Sequence, residues 1–182
     1  MTDRTLQGPA FPDDDGTADA ALAAALTAYA ASVGSAGSAG NDDYVAALAI
    51  LQDARVLVPV VAVLGEVELD EQGLARDKSS DMAAVLMQTP DGRRGLLAFT
   101  STDAMAAWNP EARPVPVAAR TAAQAAVQED AAALVLDVAG PARYVVDGDS
   151  LRALAAGYTL ARVEGGLAWV LRTAPDDSPG SE

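Results

Sequence analysis

Residues 90–92, Pro-Asp-Gly, stand between two apolar runs, residues 82–89 and 93–99. Proline presets φ at the second position of a tight turn, and glycine accepts the positive φ at which the chain reverses. Strands joined this closely must pair antiparallel, because a parallel pair needs a crossover of a dozen or more residues. A second turn of this kind, Glu164-Gly165-Gly166, separates residues 158–163 from 167–172. Elsewhere the apolar spacing is helical. Leu22, Leu26, Tyr29 and Val33 share one stripe, and Tyr44, Leu48 and Leu51 mark a second helix capped by Asn41 or Asp42. Helices interleaved with hairpins predict an α+β (mixed α/β) domain: a central mixed sheet with at least two hairpins, flanked by helices. A doubly wound nucleotide fold is not expected, and neither G-x-G-x-x-G nor a P-loop occurs.

In chain order, residues 1–17 read as a disordered acidic leader. Its Asp13-Asp14-Asp15 run is no calcium loop, since taking Gly16 as the turn glycine puts Phe11 and Leu22 at ligand positions. Residues 18–40 read as an N-terminal helix and a Gly/Ser linker, flexible enough for that helix to pack loosely or reach a neighbour. Residues 55–64, RVLVPVVAVL, predict a buried strand that Pro59 places at a sheet edge or bulges. Residues 65–81 form a long polar connection carrying Lys78, of a length that is usually functional or disordered. Thr100, Ser101 and Thr102 precede a short helix that ends at Trp108 and is stopped by Asn109-Pro110. Arg113-Pro114-Val115-Pro116-Val117 predicts an extended or edge segment. Thr121 and Gln124 form a T-x-x-Q capping box for a third substantial helix. Strands at 132–138 and 144–146 follow, then a helix capped by Asp149 or Ser150 and closed by Gly157. Residues 173–182 read as a disordered tail.

A chain of 182 residues suits one domain with a sizeable core. Its 26 acidic residues against 12 basic ones give a net charge of −14, which opposes nucleic acid and anionic lipid. Arg93 and Arg94 are adjacent, but two arginines at a strand start do not make a basic patch. Cysteine and histidine are absent, which removes disulfides, thiol nucleophiles, Ser-His-Asp triads, zinc-protease helices and haem histidines. Two enzyme routes survive, paired carboxylates and carboxylate-held magnesium. With so many acids, chance pairs carry little weight, and no S-x-x-K accompanies Lys78. No enzyme activity, cofactor or metal is expected. The N-terminus is polar and acidic, unlike a targeting segment. The longest apolar run, residues 56–64, contains Pro59 and is less than half the ~20 residues of a membrane helix. The expectation is a soluble, cytoplasmic protein.

The segments RVLVPVVA, DKSSDMAAV, PDGRRGLLAFTSTDAMAAW and ARPVPV, beginning at residues 55, 77, 90 and 112, together resemble the SseB N-terminal domain family in its actinobacterial form. A-F-T-S and R-P-V-P are the most specific elements, and neither is a catalytic signature. The resemblance implies an α+β domain over residues 41–157, with 158–172 as a C-terminal hairpin extension, and it implies no particular reaction. Many relatives carry a further C-terminal domain, for which this chain has room only for the hairpin and tail.

Three groups stand out as candidate binding residues. Trp108, Asn109 and Arg113 are of types enriched at interface hot spots and lie beside the proline-bracketed segment; the alternative is a core Trp108 with Arg113 paired locally. Thr100 and Ser101, with the amides that follow, suit a small anionic ligand, or else they are ordinary helix caps. Lys78 lies in the polar connection. Met82, Met87 and Met105 read as core fillers. The expected function is a non-enzymatic protein-interaction or regulatory module, binding another protein or itself through residues 108–117 and the 65–81 connection. A sensor of anionic metabolites is the alternative.

Overall fold

The computed structural model describes residues 11–33, 39–63, 81–141, 143–164 and 166–171. Helix α1 (Ala20–Ser32) begins where the Asp19 carboxylate accepts the Leu22 amide at 2.8 Å. This satisfies one of the helix's orphan donors. Its stripe buries Leu22 and Leu26 against Ala47, Leu48 and Leu51 of α2 (Ala39–Leu51). The Tyr144 ring joins the two helices, edge-on to Tyr29 at 5.1 Å and stacked on Tyr44 at 5.0 Å. Its hydroxyl donates to the Tyr44 carbonyl at 2.8 Å. The first helix is therefore a fixed part of the core and does not pack loosely. The second starts upstream of the predicted caps Asn41 and Asp42.

The elements that follow are β1 (Arg55–Val63), β2 (Asp81–Ala84), β3 (Leu86–Gln88), β4 (Arg94–Ala98), α3 (Thr102–Trp108), β5 (Arg113–Ala118) and α4 (Ala119–Gln128). After them come β6 (Ala133–Leu136), β7 (Tyr144–Asp147), α5 (Gly148–Ala155), β8 (Tyr158–Val163) and β9 (Gly166–Leu171). One sheet has the order β2-β1-β5 and is antiparallel throughout. A second has the order β3-β4-β6-β7, with β4 and β6 parallel and the other pairs antiparallel. Mixed pairing, hairpins and flanking helices make an α+β fold, as the turn signals required.

The predicted 82–89 strand breaks at Val85. Its first part pairs with β1 and its second with β4, and Val85 holds both sheets: its N–H donates to Pro59 and its carbonyl accepts from Leu97. Beside this staple, Leu57 and Phe99 exchange two backbone bonds of 2.8 Å. Pro59 is accordingly not at an edge, since β1 is the middle strand of its sheet. By alternation, Leu57 and Pro59 turn their backbone groups to the same side. The missing N–H falls where the neighbour of β1 changes from Phe99 to Val85. Pro114 and Pro116 lie opposite Pro59 and Leu57, so their nitrogens face the outer edge of β5, where no ladder donor is needed.

The principal core lies between the strands and α1, α2, α4 and α5, with Leu48, Leu96, Leu134, Leu136, Tyr144 and Leu154 fully buried. A smaller core on the opposite face joins Leu57, Leu97, Phe99 and Val135 to Met105 of α3. Burial on both faces accounts for the unbroken apolar run of β4. The T-x-x-Q box is not used as a cap. Helix α4 starts at Ala119, and Gln124 donates instead to the Ala155 carbonyl at 3.1 Å, tying α4 to α5. Helix α5 also starts earlier than predicted, with Asp147 as its cap residue.

The acidic leader departs from expectation from residue 11 onward. Arg55 forms an ion pair with Asp14, and its Nη1 and Nη2 donate to the carbonyls of Thr100 and Thr17 at 2.9 and 2.5 Å. Thr102 donates its N–H to the Gly16 carbonyl at 2.9 Å. Gly16 has φ +76°, and a Cβ there would lie 2.5 Å from Thr102 Cγ2. Residues 11–17 are thus clasped to the start of α3. The 1–10 part of the leader, the 65–80 connection and the 173–182 tail lie outside the described residues.

Candidate binding surfaces

Trp108 is half-buried and stacks on Phe99 with centroids 5.5 Å apart, so its ring belongs to the smaller core. Asn109 ends α3, its N–H bonded to the Met105 carbonyl and its Oδ1 accepting the Glu111 amide at 3.0 Å. Arg113 is exposed at the start of β5, opposite Val60. The three neighbour one another along the chain, but the aromatic member faces inward.

Thr100 and Ser101 are engaged locally. The Thr100 amide and hydroxyl both donate to the Asp137 carboxylate, at 2.9 and 2.8 Å. Ser101 Oγ accepts the Ala104 amide at 3.1 Å as the cap of α3. The donors expected to hold an anion are therefore occupied by a carboxylate of the protein itself. Burial pushes the Asp137 carboxyl above its ordinary range, and the two bonds from Thr100 partly oppose that shift. Asp137 also adopts φ +48°, a left-handed conformation that aspartate tolerates better than most residues. Lys78 lies outside the described residues. Among those residues, no three histidine, cysteine or acidic side chains come together to hold a metal ion.

Two surfaces emerge that residue types alone did not mark. The first is the β8–β9 hairpin. Gln52, 6% exposed, accepts the Leu160 amide at 2.7 Å and donates to the Leu160 carbonyl at 3.3 Å. Arg120 donates to the Tyr158 carbonyl and to Thr159 Oγ1. Leu160 and Trp169, opposite each other in register, pack on the principal core. Tyr158, Leu167 and Leu171 are exposed beyond Leu160 and Trp169 on the same face of the hairpin, Val163 and Val170 are exposed on the other, and Leu171 is exposed by 65%. These are five of the seven exposed large apolar side chains among the described residues.

The second surface is a cavity of about 260 Å³ on the open end of the four-stranded sheet. Met87, Gly95, Ala133 and Asp147 stand in one row across its four strands, and Val135 and Val145 form the next row. Arg93, Arg94 and Arg143 line the same space. The first two were visible as neighbours in sequence. The third arrives only through the pairing of β7 with β6.

A family model, SseB protein N-terminal domain, matches residues 21–153. The chain belongs to that family. The match takes in α1 through β7 and most of α5, and ends before the β8–β9 hairpin. No curated protein and no solved structure matches the chain. No helix among the described residues is long and apolar enough to cross a membrane.

Proposed function

We propose that this SseB-family chain is a non-enzymatic interaction module, and that the β8–β9 hairpin is its docking surface for a second protein. The observation that carries the reading is the concentration of exposed apolar side chains on an element held firmly by Gln52 and Arg120. Exposed apolar side chains that adjoin mark interaction sites, and Tyr158 and Leu171 adjoin across the hairpin. The hairpin also exposes Tyr158, a residue type favoured at interfaces. The partner is a different protein rather than a second copy. Two chains of net charge −14 repel each other, whereas a neutral or basic partner does not pay that cost.

The surface expected from sequence, residues 108–117, is a weaker site on this reading. Trp108 contributes to the smaller core, and Pro114 and Pro116 remove outward donors from β5, which discourages strand addition. The test compares Leu167→Asp/Leu171→Asp with Trp108→Ala/Arg113→Ala for retention of proteins captured on the tagged chain. Circular dichroism checks the fold of each. Loss of a recurrent partner with the hairpin pair alone supports the reading. Loss only with the Trp108 pair, in a folded protein, refutes it.

A further inference from the structure

We propose that the cavity between β3, β4, β6 and β7 is a binding site for a small organic monoanion with an apolar body, such as an aryl- or alkylcarboxylate. Side chains alternate along a strand, so Arg93, two residues before Gly95, and Arg143, two residues before Val145, project to the same face as Val135 and Val145. The floor is apolar, made by Met87, Val135 and Val145. Gly95 lets Val135 lean across it, since a Cβ there would fall 2.9 Å from Val135 Cγ2. An apolar floor with a few convergent polar groups is the usual form of a small-molecule site.

The rim chemistry selects the charge of the ligand. Among the described residues, Arg94, Arg113, Arg143 and Arg162 have no ion pair, and of these Arg143 projects to the cavity face. Arg93 is paired with Asp91 through Nε at 2.8 Å. Guanidinium forks suit carboxylate geometry. Asp147 closes one end of the first row. Arg94 alternates to the other face of β4 and Arg93 is held by Asp91, so Arg143 is the one unpaired guanidinium on the cavity face, matched to a single carboxylate. A polyanion would meet Asp147 and the acidic remainder of the chain. A cavity of about 260 Å³ also admits only a small body.

The test is titration of the full chain with phenylacetate, followed by amide NMR, with 2-phenylethanol as the uncharged analogue and inorganic phosphate as the bare anion. Saturable shifts are expected at the amides of Gly95, Ala133 and Val145. Arg143→Ala is expected to weaken binding by about tenfold, the scale of one charge-assisted hydrogen bond, and Arg143→Lys to recover part of the loss. Arg143 is exposed, so neither variant threatens the fold. The proposal is overturned if phenylacetate gives no saturable shift, if Arg143→Ala binds it unchanged, or if the alcohol binds equally well. Saturation by phosphate at the affinity of phenylacetate would reduce the site to a simple anion contact, and would overturn it too.

Discussion

Asp137→Ala is the substitution that most sharply probes the joint between the two cores. It strands two donors of Thr100, a residue only 6% exposed: the amide, now 2.9 Å from the carboxylate, and the hydroxyl, now 2.8 Å away. Each buried donor left unpaired costs about 1–3 kcal/mol, with the hydroxyl at the low end because it can rotate to another acceptor. Alanine at φ +48° adds about 1 kcal/mol that aspartate largely escapes. Removing a partly desolvated carboxylate returns some of this, so the expected net loss is about 3 kcal/mol. For a chain of this size that lowers Tm by about 6–12 °C. Asp137→Asn keeps an acceptor for the amide and a donor for the hydroxyl, and is expected to lose about 1 kcal/mol or less. The pH dependence separates the pair further. Burial raises the Asp137 pKa above its ordinary value of 3.8, so the folded state binds the proton more tightly than the unfolded state. Its contribution is therefore fully present below that value and is lost as pH rises through the raised one. Asparagine has no such titration. The stability of the native chain relative to Asp137→Asn is expected to fall as pH rises through the acidic range and then level off. Urea unfolding at several pH values, followed by tryptophan fluorescence, measures both effects. Asp137→Ala within about 0.5 kcal/mol of the native chain, or a difference from Asp137→Asn that grows with pH, would refute the reasoning.

Other substitutions test the remaining joints. Arg55→Ala leaves Asp14 without its partner in a site where the two side chains are only 15% and 10% exposed, and is expected to cost about 3 kcal/mol in urea unfolding. Gly16→Ala forces a Cβ against Thr102 at a positive φ and is expected to release residues 11–17, read as faster hydrogen exchange at the Thr102 amide with little change in global stability. Tyr144→Phe removes the 2.8 Å bond to the Tyr44 carbonyl while keeping the ring stack, for an expected loss of about 1 kcal/mol by thermal unfolding.

The local features of the fold were legible because local chemistry decides them. Pro90-Asp91-Gly92 turns the chain where expected, with Gly92 at φ +85° and its amide on the Thr89 carbonyl. The helical stripe of Leu22 and Leu26 is buried, and the final hairpin pairs in register from Tyr158–Leu171 to Val163–Gly166. What escaped depends on contacts distant in sequence. The rule that proline marks an edge is sound for a strand with the same neighbour along its whole length. Pro59 escapes it because β1 changes neighbour beside it, at Val85. The T-x-x-Q pattern offered a cap at Thr121, but β5 runs directly into α4 and fixes the helix start three residues earlier, with Ala118 as the cap residue.

The candidate sites show the same division. Trp108 carries an interface residue type, and Phe99 draws it into the smaller core instead. Thr100 and Ser101 suit either an anion or helix capping; Ser101 caps α3, and Asp137, far along the chain, takes both hydrogens of Thr100. Arg93 and Arg94 alternate to opposite faces, and the unpaired guanidinium of the cavity, Arg143, comes from a different strand through the pairing of β7 with β6. The C-terminal hairpin reads as an extension, and its exposed apolar side chains lie beyond Leu160 and Trp169, which pack on the core, and on the opposite face.

The measurement that bears most directly on the hairpin as a docking surface is light scattering of the purified chain at several concentrations, alone and with its captured partner, for the native protein and for Leu167→Asp/Leu171→Asp. A native chain that stays monomeric alone and forms a complex that the double variant cannot form is the expected result. A native chain that dimerises alone, or a double variant that binds the partner as well as the native chain does, would contradict it.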